Sequence, residues 1–98
     1  MALQIVWTKR AKANFGSIVG YLEANWSEQV TTGFAKRVYS FLEILAEFPE
    51  IGSIQDQQRG IRGFLVEKQT KIFYRIEGKK LYLLNFFDTR QDPKQEKY

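Results

Sequence analysis

The chain has 98 residues and contains no cysteine and no histidine. Without cysteine there is no disulfide and no thiolate chemistry, which fits a reducing compartment. Without histidine the commonest general base and the commonest metal ligand are both missing. A Ser-His-Asp relay, a His-ligated zinc site and a His-based nuclease are therefore excluded, and no metal or cofactor is expected. Long apolar runs are also missing: none approaches the ~18 residues that would cross a bilayer. Residues 1–7 lack the basic start and the apolar stretch of a signal peptide. The expected address is the cytoplasm, with no membrane partner.

What the chain does have is rings and localised charge. Eight Phe, five Tyr and two Trp predict a core built from aromatic side chains. Residues 59–98 carry 10 Lys/Arg against 5 Asp/Glu, a net of +5, whereas residues 1–58 carry 5 against 6. The positive charge thus sits on the later half, and a basic surface there suggests an anionic partner. A chain of this length makes one domain, residues 1–98, with a modest core.

The hydropathy pattern predicts the order β-α-α-β-β-β. Leu3, Ile5 and Trp7 alternate with Ala2, Gln4 and Val6 as a short strand. Thr8 can cap a helix from about Lys9 to Asn25, whose apolar stripe is Ala11, Phe15, Ile18 and Leu22. Ser27 can cap a second helix carrying Val30, Phe34, Val38, Phe41 and Leu45, which Pro49 stops near Phe48. Residues 50–58 lack periodicity and read as a loop.

Three strands then follow, Ile61–Val66, Lys71–Ile76 and Lys80–Phe87, with a turn at Glu77-Gly78-Lys79. In the last strand Leu81, Leu83, Asn85 and Phe87 should face one way, and Tyr82, Leu84 and Phe86 the other. A strand apolar on both faces belongs in the middle of a sheet. The fold class is therefore α+β: an antiparallel-rich, four-stranded sheet with a helical hairpin on one face. The other face should stay partly open, and there Arg62, Lys71, Phe73 and Arg75 could converge.

At this point the chain resembles the RelE/ParE superfamily of bacterial toxins from type II toxin–antitoxin modules. The resemblance rests on Trp7 closing the first strand and on Tyr21-Leu-Glu-Ala-Asn-Trp-Ser27 closing the first helix. It continues with Phe48-Pro49, Gly60-Ile-Arg62, Lys71-Ile-Phe-Tyr-Arg-Ile76 and Asp88-Thr-Arg-Gln-Asp-Pro93. It implies a cognate antitoxin as partner, and one of two targets for the free toxin. A ParE-like toxin poisons DNA gyrase, inhibits growth and serves plasmid stabilisation. A RelE-like toxin cuts messenger RNA in the ribosomal decoding site, as a metal-independent endoribonuclease. Whether the chain is an enzyme, and whether it forms a homodimer, stay open at this stage.

Carried over by resemblance, Arg62 and Lys71 fall on two of the family's basic positions and Arg90 on the arginine after the last strand. The second basic position of the Ile61–Val66 strand holds Phe64, which offers no charge to a phosphate, and the C-terminal tyrosine position falls near Glu96, with Tyr98 loosely equivalent. The set is incomplete for a nuclease, and the tip is closer to the ParE side.

The residues also have plainer readings. Arg90 can pair with Asp88 or Asp92, while Arg62 and Lys71 can be solvated strand residues. Tyr74, which alternates with Ile72 and Ile76, reads as core. Trp7 and Trp26 read as packing anchors, and Lys9, Arg10 and Lys12 as a solvated face at a helix start. Gly60 and Gly63 read as a bulge or bend.

Overall fold

The computed structural model describes residues 2–89 and residue 98. The elements run β1 (Gln4–Trp7), α1 (Lys9–Asn25), α2 (Glu28–Glu47), β2 (Ser53–Asp56), β3 (Ile61–Glu67), β4 (Thr70–Glu77) and β5 (Lys80–Asp88). Both predicted helices form with their predicted caps. The Thr8 hydroxyl accepts from the Ala11 N–H at 3.2 Å and donates to the Leu83 carbonyl at 2.6 Å, tying the start of α1 to β5. The Ser27 hydroxyl accepts from the Val30 N–H at 3.1 Å, and Glu28 occupies the first turn of α2, where the helix dipole favours a carboxylate.

The sheet has the order β1-β5-β4-β3-β2. β1 runs parallel to β5 and the other neighbours are antiparallel. The β4–β5 turn is set by Gly78 at φ 62°, the left-handed region that an L side chain rarely adopts.

Five strands stand where four were expected, because Ser53–Asp56 pairs with Arg62 and Gly63 at the sheet edge. Its sequence, Ser-Ile-Gln-Asp, has one apolar residue in four, too few for alternation to register. A register shift between Ile54 and Asp56 shortens it further.

The side-chain alternation expected for β5 also fails part-way. Phe73 pairs with Asn85 but Tyr74 pairs with Leu83, so Leu84 is an extra residue in the ladder. Beyond this bulge the faces exchange. Leu81, Leu83 and Phe86 join the core under the helices, while Leu84 and Phe87 join a second cluster with Ile61 and Phe73 on the far face. That far face was expected to be partly open. Its centre is closed, because Phe73 has no exposed surface and Ile61 and Phe87 are buried.

The main core lies between the hairpin and the sheet and includes Ala11, Phe34, Val38, Leu42, Leu45, Ile72, Tyr74, Leu81, Leu83 and Phe86. Phe15, Ile18, Leu22 and Phe41 pack against it half-buried. Trp7 anchors the packing, with its ring stacked on Phe86 at 5.3 Å. Trp26, expected to do the same, is 59% exposed at the hairpin tip. No helix among the described residues is long and apolar enough to cross a membrane.

Leu45 has no exposed surface, so Leu45→Ala should cost about 2–5 kcal/mol through lost burial and a cavity. Urea unfolding followed by circular dichroism would read this as a lower midpoint.

Candidate functional site

The three residues singled out by sequence do not gather in one place. Arg62 pairs with Tyr74 across the β3–β4 ladder, and Lys71 pairs with Leu65. Paired residues share a sheet face, and successive residues alternate. Arg62 and Tyr74 therefore face the helices, whereas Lys71, Phe73 and Arg75 face the other way. Of Arg62, Lys71, Phe73 and Arg75, expected together on the open face, the last three share that face, and only Lys71 and Phe73 are in contact. Arg90 lies outside the described residues, with the rest of 90–97.

On the helix side, Arg62 and Tyr74 build a clasp. The Tyr74 hydroxyl donates to the Pro49 carbonyl at 2.7 Å and accepts from the Gly52 N–H at 2.9 Å. The Arg62 guanidinium donates to the carbonyls of Gly52 at 2.8 Å and Glu50 at 3.2 Å. Together they fix the loop between α2 and β2 against the sheet. Gly52 is required there: a Cβ would come within 2.5 Å of the Tyr74 hydroxyl. Tyr74 has no exposed surface, and burial pushes its phenol above the usual value, with the Gly52 hydrogen bond and the Arg62 charge working against the rise. The plain reading of Tyr74 as core is right. Arg62 keeps part of its surface exposed, but loop carbonyls hold its guanidinium in place.

On the far side, Lys71 lies 5.1 Å from the centre of the Phe73 ring and donates to Gln55 at 3.4 Å. Tyr98 meets Phe73 edge-on at 5.2 Å, donates its hydroxyl to the Gln55 carbonyl and accepts from Arg10 at its backbone oxygen. Gly63 makes room for this cluster, since a Cβ there would lie 3.1 Å from Gln55 and 3.2 Å from Lys71. It is a point of close approach rather than a bulge, while Gly60, at φ 68°, serves the turn before β3. Gln55 was missed from sequence because β2 itself was missed. Arg75 pairs with Glu77 at 2.6 Å.

A groove of about 760 Å³ opens between the hairpin tip and the β3–β4 turn. Ile18, Tyr21, Leu22, Val30 and Phe34 form its apolar wall, and the Arg37–Glu67 ion pair stands at its rim. Among the described residues no group of His, Cys, Asp or Glu could hold a metal ion.

Residues 5–93 match the model of the family described as ParE toxin of the type II toxin–antitoxin system parDE. The chain belongs to this ParE toxin family. The fold is that of solved structures of the same kind. One described as the chromosomal ParDE toxin–antitoxin system of P. aeruginosa matches at TM-score 0.74 and 15% identity, over 89% of this chain and 96% of that one. A RelBE2 toxin–antitoxin complex from Mycobacterium tuberculosis matches at TM-score 0.61 and 11% identity, over 90% and 99%. A YoeB/ParE toxin from Agrobacterium tumefaciens matches at TM-score 0.60 and 11% identity, over 88% and 98%. No curated protein sequence matches.

Removing the Tyr74 hydroxyl leaves the Gly52 N–H and the Pro49 carbonyl without their partner, so Tyr74→Phe should cost about 1–3 kcal/mol. The pH dependence follows from the direction of the shift. A phenol whose folded pKa is raised contributes stability that is fully present below its unfolded value, about 10, and is lost as pH rises through the folded value. The wild-type chain should therefore lose stability above that pH more steeply than Tyr74→Phe. Urea midpoints of the two proteins at neutral and alkaline pH would measure the difference.

Proposed function

We propose that this toxin arrests growth by binding and poisoning DNA gyrase rather than by cutting RNA. The observation that carries this reading is the separation of Arg62 from Lys71. Metal-free cleavage of RNA needs charged donors aimed at one phosphate and groups that move its protons. Here the two candidate cations lie on opposite faces of the sheet. Arg62 is also engaged by the Glu50 and Gly52 carbonyls, and Phe64 supplies no charge. A poison that acts by binding needs no such constellation. The alternative, a ribosome-dependent endoribonuclease, draws support from Lys71 and Tyr98, which pack on the same Phe73 ring.

The cytoplasm is the compartment this reading requires. A cognate antitoxin is the expected partner, as in the toxin–antitoxin complexes that share the fold. The groove at the hairpin tip fits an apolar anchor from such a partner. The net charge of +4 favours an acidic antitoxin segment.

The deciding experiment is induction in growing cells, with plasmid supercoiling and messenger RNA integrity followed in parallel. Gyrase poisoning predicts a loss of supercoiling while messages stay intact; early cleavage of messages would reject it. Arg90→Ala should relieve the arrest with an unchanged melting temperature, and Arg62→Ala should relieve it less. If Arg90 is only a surface ion-pair partner, its loss should change stability by at most about 1 kcal/mol and leave the arrest intact. Association with the antitoxin should slow as salt rises, and a rate flat across ionic strength would show that burial alone drives it.

A further inference from the structure

The charge of the chain is segregated more sharply than its halves suggest. Between Arg37 and Arg59 there is no Lys or Arg, while Glu43, Glu47, Glu50 and Asp56 give residues 38–58 a net charge of −4 on a protein of +4. The same segment carries a cluster of exposed apolar side chains. Ile44 is 52% exposed, Phe48 62%, Ile51 42% and Ile54 55%.

The four lie along one short stretch of chain. Ile44 and Phe48 lie one helical turn apart, with the Phe48 N–H bonded to the Ile44 carbonyl at 2.9 Å. The Ile51 N–H bonds to the Phe48 carbonyl at 3.3 Å. Ile54 pairs with Arg62, which puts it on the helix side of β2, next to the same loop. Glu43 and Glu47 form a parallel row beside Ile44 and Phe48 on α2, and Glu50 follows in the loop; all three are exposed. Asp56 is paired with Arg59. Arg62 reaches in from β3, but its guanidinium is bonded to the Glu50 and Gly52 carbonyls.

Four exposed, large apolar side chains within residues 44–54 mark a contact surface. The clasp of Arg62 and Tyr74 holds its two parts, the end of α2 and the edge strand β2, in fixed relation. The acidic border decides what can dock. A nucleic acid or an acidic segment would be repelled, and so would a second copy meeting the patch face to face. We propose that this surface docks a protein segment presenting apolar side chains among lysines and arginines. The antitoxin segment expected above is acidic and would be repelled here, so the segment belongs to the toxin's target, an assignment that rests on the toxin reading above.

Two measurements test the proposal. In the first, the folded protein is titrated with a short amphipathic peptide of leucine and lysine, and with its leucine–glutamate counterpart, under amide chemical-shift mapping. The basic peptide should bind on the order of tenfold more tightly and shift Ile44, Phe48, Ile51 and Ile54. Charge reversal by Glu43→Lys, Glu47→Lys and Glu50→Lys together should invert the preference. Equal binding of both peptides, or shifts elsewhere, would overturn the chemistry assigned to the surface.

In the second, Phe48→Ser with Ile54→Ser is expressed beside the wild type. Growth arrest should be lost while the melting temperature holds. A variant that melts normally and still arrests cells would overturn the assignment to the target. A wild-type chain that never arrests growth would instead refute the toxin reading, and the peptide titration would still judge the surface.

Discussion

A phenol hydroxyl with no access to water must find partners inside the protein, and Tyr74 finds both in the loop that follows α2. Much else depends on that. The loop can approach the ring only because residue 52 is glycine. Once it is held, Ser53–Asp56 lies where it can pair with β3. β2 in turn carries Gln55 to Lys71 and Tyr98 on the far face. The hydroxyl thus links the helix side of the sheet to the opposite one. Arg62 belongs to the same clasp, and so a residue that family resemblance offers as a phosphate ligand has a structural duty to meet first.

The helices were legible in the sequence because each signal there is local. Thr8 and Ser27 cap within three residues of themselves, and the stripes from Ala11 to Leu22 and from Phe34 to Leu45 follow helical spacing. The sheet was legible in outline only. Alternation in β5 reads correctly up to Leu84 and inverts from Asn85 onward, because the extra residue at this bulge is defined by the ladder with β4 and not by anything in the strand itself. β2 owes its existence to Tyr74 and Gly63, residues distant in sequence, so no local pattern announces it. The candidate site suffered from the same gap. Arg62 and Lys71 look like members of one set until pairing assigns them to opposite faces.

The surface that results has two characters. Around α1 and the later strands it is basic, with Lys9, Arg10, Lys12, Lys79 and Lys80 all exposed. At the end of α2 it is acidic and apolar. A protein of modest size can thus present surfaces of opposite charge to different partners, each repelled by the other's site.

The parallel pairing of β1 with β5 has a consequence for synthesis. Gln4–Trp7 is made first, yet its neighbours in the sheet are residues 80–83. Through most of translation the nascent chain can form its helical hairpin, but the strand ahead of it has no place to dock. Trp7 meanwhile lacks the Phe86 ring on which it stacks. Contacts this distant in sequence close late and slowly, and the apolar faces awaiting them stay exposed until then. The fold, and whatever harm it can do, is assembled only when the last strand emerges from the ribosome.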